Sequence, residues 1–221
     1  MDKFWELRDN IMLASALQLL RSAANRFTTS PLPEWETFAQ QTRLLRIPPH
    51  TEIPLGDREV SFIVSGGAKL IYTDGPLAGE VSEFFFSGSF LTTTLRPSWS
   101  LQNPSPFPMI QLMRPGFYMP ATTAHTLDKC VLLLFDYGAV EQLSAKHASW
   151  GQLHAVVLWA YIEGLLHNID TLRGKDASAR YAHVMNRAGL ARKVSQGDLA
   201  SYLGISRETL NRIIKRSESA P

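Results

Sequence analysis

The stretch Ser195–Arg216, SQGDLASYLGISRETLNRIIKR, holds two short helical patterns joined by a turn. Ser195 and Asp198 stand in an S-x-x-D spacing, in which each side chain can satisfy a free amide of a first helical turn. Leu199, Ala200 and Leu203 then share one face. Gly204 falls where that helix must end in a left-handed residue, a conformation open to glycine and costly for larger side chains. Ser206 is placed to cap a second helix with Leu210, Ile213 and Ile214 as its apolar positions. The other face gathers Arg207, Glu208, Asn211, Arg212 and Lys215, long-armed and mostly cationic. A solvated face on an ordinary helical hairpin shares this charge periodicity. The small Ala200, the turn Gly204 and the Ser206 cap at these offsets favour a helix-turn-helix that enters the major groove of double-stranded DNA. There a guanidinium grips guanine O6 and N7, and a carboxylate accepts from cytosine N4.

The run D-L-A-S-Y-L-G-I-S-R-E-T-L-N-R-I resembles the helix-turn-helix of the Crp/Fnr (cyclic-AMP receptor protein / fumarate-nitrate regulator) superfamily of bacterial transcription factors. The resemblance is most specific at S-R-E-T-x-x-R and implies base contacts from Arg207, Glu208 and Arg212, with Ser206, Asn211, Lys215 and Lys193 completing the DNA-binding set. It also implies an inverted-repeat operator and, for an activator, contact with RNA polymerase.

Net charge over the 221 residues is only +2. Residues 173–221, however, carry 10 Lys/Arg against 4 Asp/Glu, or +6, leaving 12 against 16, or −4, for residues 1–172. The basic footprint lies in the segment that would meet DNA. A single cysteine, Cys130, permits neither an intramolecular disulfide nor a four-cysteine iron–sulfur or zinc site. In the apolar run CVLLLFDY it reads as a small core residue. The six histidines make no H-x-H or H-x-x-x-H pair, so no metal or other cofactor is expected. A cupin-like enzyme with an appended helical domain would need such a cluster or a nucleophile–base pair. No stretch is long and apolar enough to span a bilayer, and the cytoplasm is the expected compartment.

Residues 3–27 read as one amphipathic helix through Phe4, Leu7, Ile11, Ala14, Leu17, Leu20, Ala24 and Phe27. It suits either an arm on a partner subunit or a packing helix. Between Pro31 and Tyr137 the pattern changes to short apolar runs, SFIVSG, AKLIYT, VSEFFF, PMIQLM and CVLLLFDY, separated by glycine and proline. These predict an antiparallel sandwich or barrel. The segment from PEWETFAQQTRLLRIPPH onward resembles the family's effector-binding β-roll, a double-stranded β-helix, more loosely than the C-terminal motif resembles its counterpart. The family's cyclic-AMP cassette requires a glycine–glutamate pair and a following arginine. Here the glutamate position falls near Thr93, and Arg96 is followed by Pro97. The resemblance therefore implies a degenerate nucleotide-binding domain. It would answer to an unknown small molecule near Phe86, Phe90, Thr93, Arg96 and Trp99, with a genuine cyclic-nucleotide regulator as the alternative. Gly79-Glu80 precedes the FFF strand and reads as a hairpin turn. Pro97 to Pro120 holds six prolines with Trp99, Phe107, Phe117 and Tyr118, a stiff aromatic loop.

From Val140 a helical pattern continues to Leu172, and Leu158, Ile162, Leu165, Ile169 and Leu172 alternate four and three as in a coiled-coil seam. The spacing predicts a parallel homodimer. Arg173-Gly174-Lys175-Asp176 reads as a hinge in which glycine ends the long helix and Asp176 caps the next. The expected α+β chain thus comprises an N-terminal helical arm (1–29), a β-roll sensor (30–138), a dimerisation helix (139–173) and a helix-turn-helix domain (174–221), with no enzymatic activity.

Overall fold

The computed structural model describes residues 2–28, 30–56, 58–92, 121–174, 176–186 and 194–218; for 2–10, 165 and 167–174 it describes the backbone alone. Within these bounds the fold is α+β. Helices α1 (Asp2–Ala24) and α2 (Trp35–Gln40) come first. Strands β1 (Arg43–Ile47), β2 (Glu59–Ser65), β3 (Gly67–Tyr72), β4 (Val81–Phe86), β5 (Phe90–Leu91), β6 (Thr122–Thr126) and β7 (Cys130–Asp136) follow. Helices α3 (Tyr137–Lys146), α4 (Ala148–Gly174), α5 (Ala177–Met185), α6 (Gln196–Leu203) and α7 (Arg207–Glu218) complete the chain.

The strands form two antiparallel sheets in the orders β1-β7-β2-β5 and β4-β3-β6. Their facing sides enclose a core of Ile63, Leu70, Phe85, Leu91, Leu132 and Leu134 with the fully buried Cys130. The run CVLLLFD is apolar without alternation because β7 is covered on both faces. Leu132 and Leu134 point into the roll, whereas Leu133 and Phe135 point outward onto α1 to α4, and all three leucines are completely buried. On that outer face Trp35 stacks on Trp150 with centroids 6.1 Å apart, and Phe38 meets Phe135 edge-on at 5.2 Å. The Trp150 indole donates to the Pro33 carbonyl at 2.8 Å. The second half of α1 is a packing helix here, with Ala16, Leu20 and Ala24 buried in this cluster, but Ile11 is exposed and leaves the expected apolar stripe.

One expectation needs correction. The single helix from Val140 to Leu172 is two helices, because His147 adopts an extended conformation (φ −132°, ψ 118°) between α3 and α4. Its ring pairs with Glu34 at 2.8 Å, and Lys146 approaches the same carboxylate at 3.5 Å, so a contact distant in sequence fixes the break. β1, β5 and β6 join the strands formed by the quoted runs, although they are not themselves long apolar runs. PMIQLM lies outside the described residues. The Gly79-Glu80 turn forms as expected between β3 and β4, with the Gly79 amide donating to the Tyr72 carbonyl at 2.8 Å. Gly66 turns β2 into β3 at φ +97°, and a Cβ there would meet both the Cys130 sulfur and the Lys129 carbonyl at 2.7 Å. Replacing Gly66 with Ala therefore combines left-handed strain with a backbone clash, and is expected to lower stability by about 1–3 kcal/mol in urea unfolding. An unchanged midpoint would show that the turn relaxes freely.

Candidate nucleic-acid interface

Local chemistry shapes α6 and α7 much as their residues require. Ser195 Oγ accepts from the Asp198 amide at 3.1 Å, which opens α6. Gly204 ends it in the left-handed region (φ 63°, ψ 40°), and the next amide, Ile205, returns to the Ala200 carbonyl at 3.0 Å. Ser206 Oγ accepts from the Thr209 amide at 3.2 Å and caps α7. Leu199, Ala200, Tyr202, Leu203, Leu210 and Ile213 are buried between the two helices and their support, while Ile214 is partly buried. Asp176 accepts from the Ala179 amide at 2.8 Å and caps α5, whose Val184 joins the same core. Lys193 lies outside the described residues.

Burial of Leu210 and Ile213 turns the opposite face of α7 to solvent. Glu208, Asn211, Arg212 and Lys215 line one open groove together with Arg216, which the sequence reading did not select although it stands one turn beyond Arg212. Arg207 stands apart from this row. Its guanidinium lies against Gly197 of α6, where an added Cβ would come within 2.2 Å of it. Ser206 acts as the cap. The Glu208 carboxyl is held below the usual carboxylate range by a hydrogen bond from its own backbone amide, then by the Ser206 hydroxyl and the charge of Arg207. At neutral pH the row therefore offers one acceptor-only carboxylate among cations.

The reciprocal half of the S-x-x-D cap does not form. The Asp198 carboxylate instead pairs with Lys69 of β3, and both side chains are largely buried. Around this pair, Ser201 Oγ accepts from the Val81 amide at 2.8 Å and donates to Glu80. The Tyr202 ring packs on Phe84 with centroids 5.1 Å apart. Together with Val81, Phe84 and Leu127, these contacts dock α6 on the outer face of β4-β3-β6. Lys69, Glu80 and Ser201 carried no local sequence signal, because their meeting depends on the docking itself.

Of the proposed effector residues, Phe86 packs toward the α5–α7 core, whereas Phe90 lies between Phe62 and Phe135 on the other sheet. Phe90 shares a pocket with Glu83, Phe84 and Phe85 of β4, but Phe86 does not line it. Thr93, Arg96 and Trp99 lie outside the described residues. Along α4, Leu158 is half-buried and Ile162 is exposed. The side chains of Leu165, Ile169 and Leu172 are outside the description. Among the described residues, Val156, Trp159, Tyr161, Ile162 and Leu166 form an exposed apolar stretch on this helix. No three His, Cys, Asp or Glu side chains among the described residues are arranged to hold a metal ion.

No family model and no curated protein matches the chain. Solved structures do. FixK2 from Bradyrhizobium japonicum superposes with a TM-score of 0.59 at 14% identity, covering 80% of this chain and 85% of that one. A structure described as a transcriptional regulator of the Crp/Fnr family, from Eubacterium rectale, gives 0.59 at 10% identity over 86% and 84%. The fold is that of the Crp/Fnr regulators. CLP from Xanthomonas campestris, described as a c-di-GMP responsive global regulator, gives 0.56 at 19% identity over 83% and 90%. At such identities the shared Crp/Fnr fold says nothing about which ligand this chain takes, and its own residues must carry that argument.

The Crp/Fnr fold also gives His154 a setting, on α4 beneath the roll. Its Nε2 lies 2.7 Å from the Tyr137 hydroxyl, and burial pushes its pKa below the ordinary histidine value despite the charge of Glu141 nearby. The unfolded chain then binds more protons than the folded one between the lowered value and about 6.5. Stability from this group is thus present above about pH 6.5 and is lost as pH falls through that window. Thermal unfolding at pH 5.5 and 7.5 is expected to show a smaller difference in His154→Gln than in the parent. Parallel losses would assign the pH dependence to other groups.

Proposed function

We propose that the chain is a homodimeric, sequence-specific DNA-binding regulator of the Crp/Fnr superfamily, in which α7 reads bases and a signal at the roll repositions it. The observation that carries this reading is the exposed row Glu208, Asn211, Arg212, Lys215 and Arg216 on a helix whose other face is anchored by Leu210 and Ile213. The exposed stretch on α4 supplies the surface for a second copy. A route from roll to DNA runs through the docking of α6: a shift of β3 or β4 is felt by Asp198, Ser201 and Tyr202, and through the α6 turn by α7. This is a population shift between placements of the recognition helix.

The effector is not cyclic AMP in this reading, since Thr93 stands at the cassette glutamate position and Pro97 follows Arg96. Calorimetric titration with cyclic AMP giving micromolar affinity would contradict it. Selection of bound sequences from random DNA tests the function as a whole. An inverted repeat is expected, with G·C pairs in each half-site read by Glu208 and Arg212, and by Arg207 once its guanidinium swings away from Gly197. Failure to enrich any sequence would remove DNA reading as the function.

A further inference from the structure

An apolar pocket of about 130 Å³, partly open to solvent, lies outside the roll, between the outer face of β2, β5 and β7 and the helices α1, α2 and α4. Its principal walls are Trp35, Phe38, Phe90, Phe135, Trp150 and Leu153. It is distinct from the interior of the roll, which Ile63, Leu91, Leu132 and Leu134 fill. The two polar side chains deepest in the wall, Tyr137 and His154, bond to each other at 2.7 Å, so neither has to seek a partner in the space. Burial raises the Tyr137 pKa and lowers that of His154, which keeps both groups neutral near pH 7.

Water in this pocket finds almost no polar partner on its walls, and an apolar pocket of this kind favours an apolar guest. Charged or strongly polar molecules would lose their hydration without replacement. Aromatic walls favour a flat ring, through edge and offset contacts. Leu153 and Val157 of α4 border the space, while Trp159, Ile162 and Leu166 of the same helix face solvent, so occupancy bears directly on the helix that would meet a partner subunit.

We propose that this cavity is an effector site for a small, uncharged, single-ring aromatic compound, whose binding sets the position of α4; the effector role rests on the regulator reading above. The probe is toluene, with benzoate as the charged control of similar shape, and full-length protein is titrated by calorimetry and by thermal unfolding. Toluene is expected to bind saturably and raise the unfolding midpoint, and benzoate to do neither. Ala24→Leu adds bulk from α1 into the space and is expected to abolish toluene binding. Should that variant fail to fold, Leu153→Ala enlarges the space and is expected to shift preference from toluene to propylbenzene. Absence of saturable binding by the parent, equal binding by Ala24→Leu, or an unchanged preference in Leu153→Ala would overturn the site. Affinity for the selected DNA is then measured with and without toluene, and a change of at least tenfold is expected. Saturable binding with unchanged DNA affinity would overturn the effector role. Failure to select any DNA would instead remove the regulator reading and the effector role with it, leaving the cavity to be decided by calorimetry alone.

Discussion

Ile162→Asp combined with Leu166→Asp is expected to give monomers in sedimentation at concentrations where the parent chain is expected to be a dimer. Both residues are exposed in the protomer, 45% and 56%, so the change leaves the packing of one copy undisturbed. With Trp159, 61% exposed, they step by three and four along α4, the spacing that lets two helices interlock. In a parallel pair, each aspartate would face its counterpart and lose hydration without gaining an opposite charge. Leu165, Ile169 and Leu172 are expected to extend the same interface toward Gly174. A monomer engages a single half-site, so affinity for the selected DNA should fall by about 10²–10⁴-fold through loss of avidity alone. A double variant that remains dimeric would show that another surface joins the subunits.

Glu208→Ala is expected to have the second large effect, on specificity. Its carboxylate is ionised near neutrality and exposed in the row, and the pairing chemistry of an acceptor-only group is with cytosine N4. Its removal should cost about 1–3 kcal/mol on the selected site and relax preference at one base pair. Random DNA should be bound as well as before, because no phosphate contact is lost. Lys193→Ala provides the contrast: a phosphate contact removed there would weaken binding on all sequences alike and make the salt dependence shallower. Equal weakening of specific and random DNA by Glu208→Ala would remove it as a base reader.

The features legible in the sequence are those fixed by one or two neighbouring residues. Gly204 and Ser206 announce the turn and cap of α6 and α7 because left-handed backbone and amide capping are local chemistry. The continuous run of β7 was equally plain, as was the break between α4 and α5, where the helix ends at Gly174 and Asp176 caps the next. The strand β1 has no clear apolar run of its own because Arg43 and Arg46 interrupt its apolar residues, yet Arg43 pairs with Glu59 at 2.7 Å in the folded chain. In β6 the polar TTAHT gives no apolar signal, although Thr126 is buried and donates to the Pro48 carbonyl at 2.6 Å. The break at His147 has neither glycine nor proline and depends on Glu34, more than a hundred residues away. Likewise, Asp198 reads locally as a cap partner but is drawn to Lys69 once α6 docks on the sheet. The cavity under the roll follows from packing among five or more elements, which no periodicity encodes.

Binding measured against half-site spacing tests the central claim most directly, because it requires both the dimer and the base-reading helix. Two copies of α7 presented on one side of DNA should enter successive major grooves about 34 Å apart, so affinity should peak when half-site centres lie about one helical turn apart. Inserting about five base pairs turns one half-site to the far side of the duplex and should reduce affinity toward that of a single half-site. Affinity indifferent to this insertion would contradict a regulator that reads its operator as a symmetric pair.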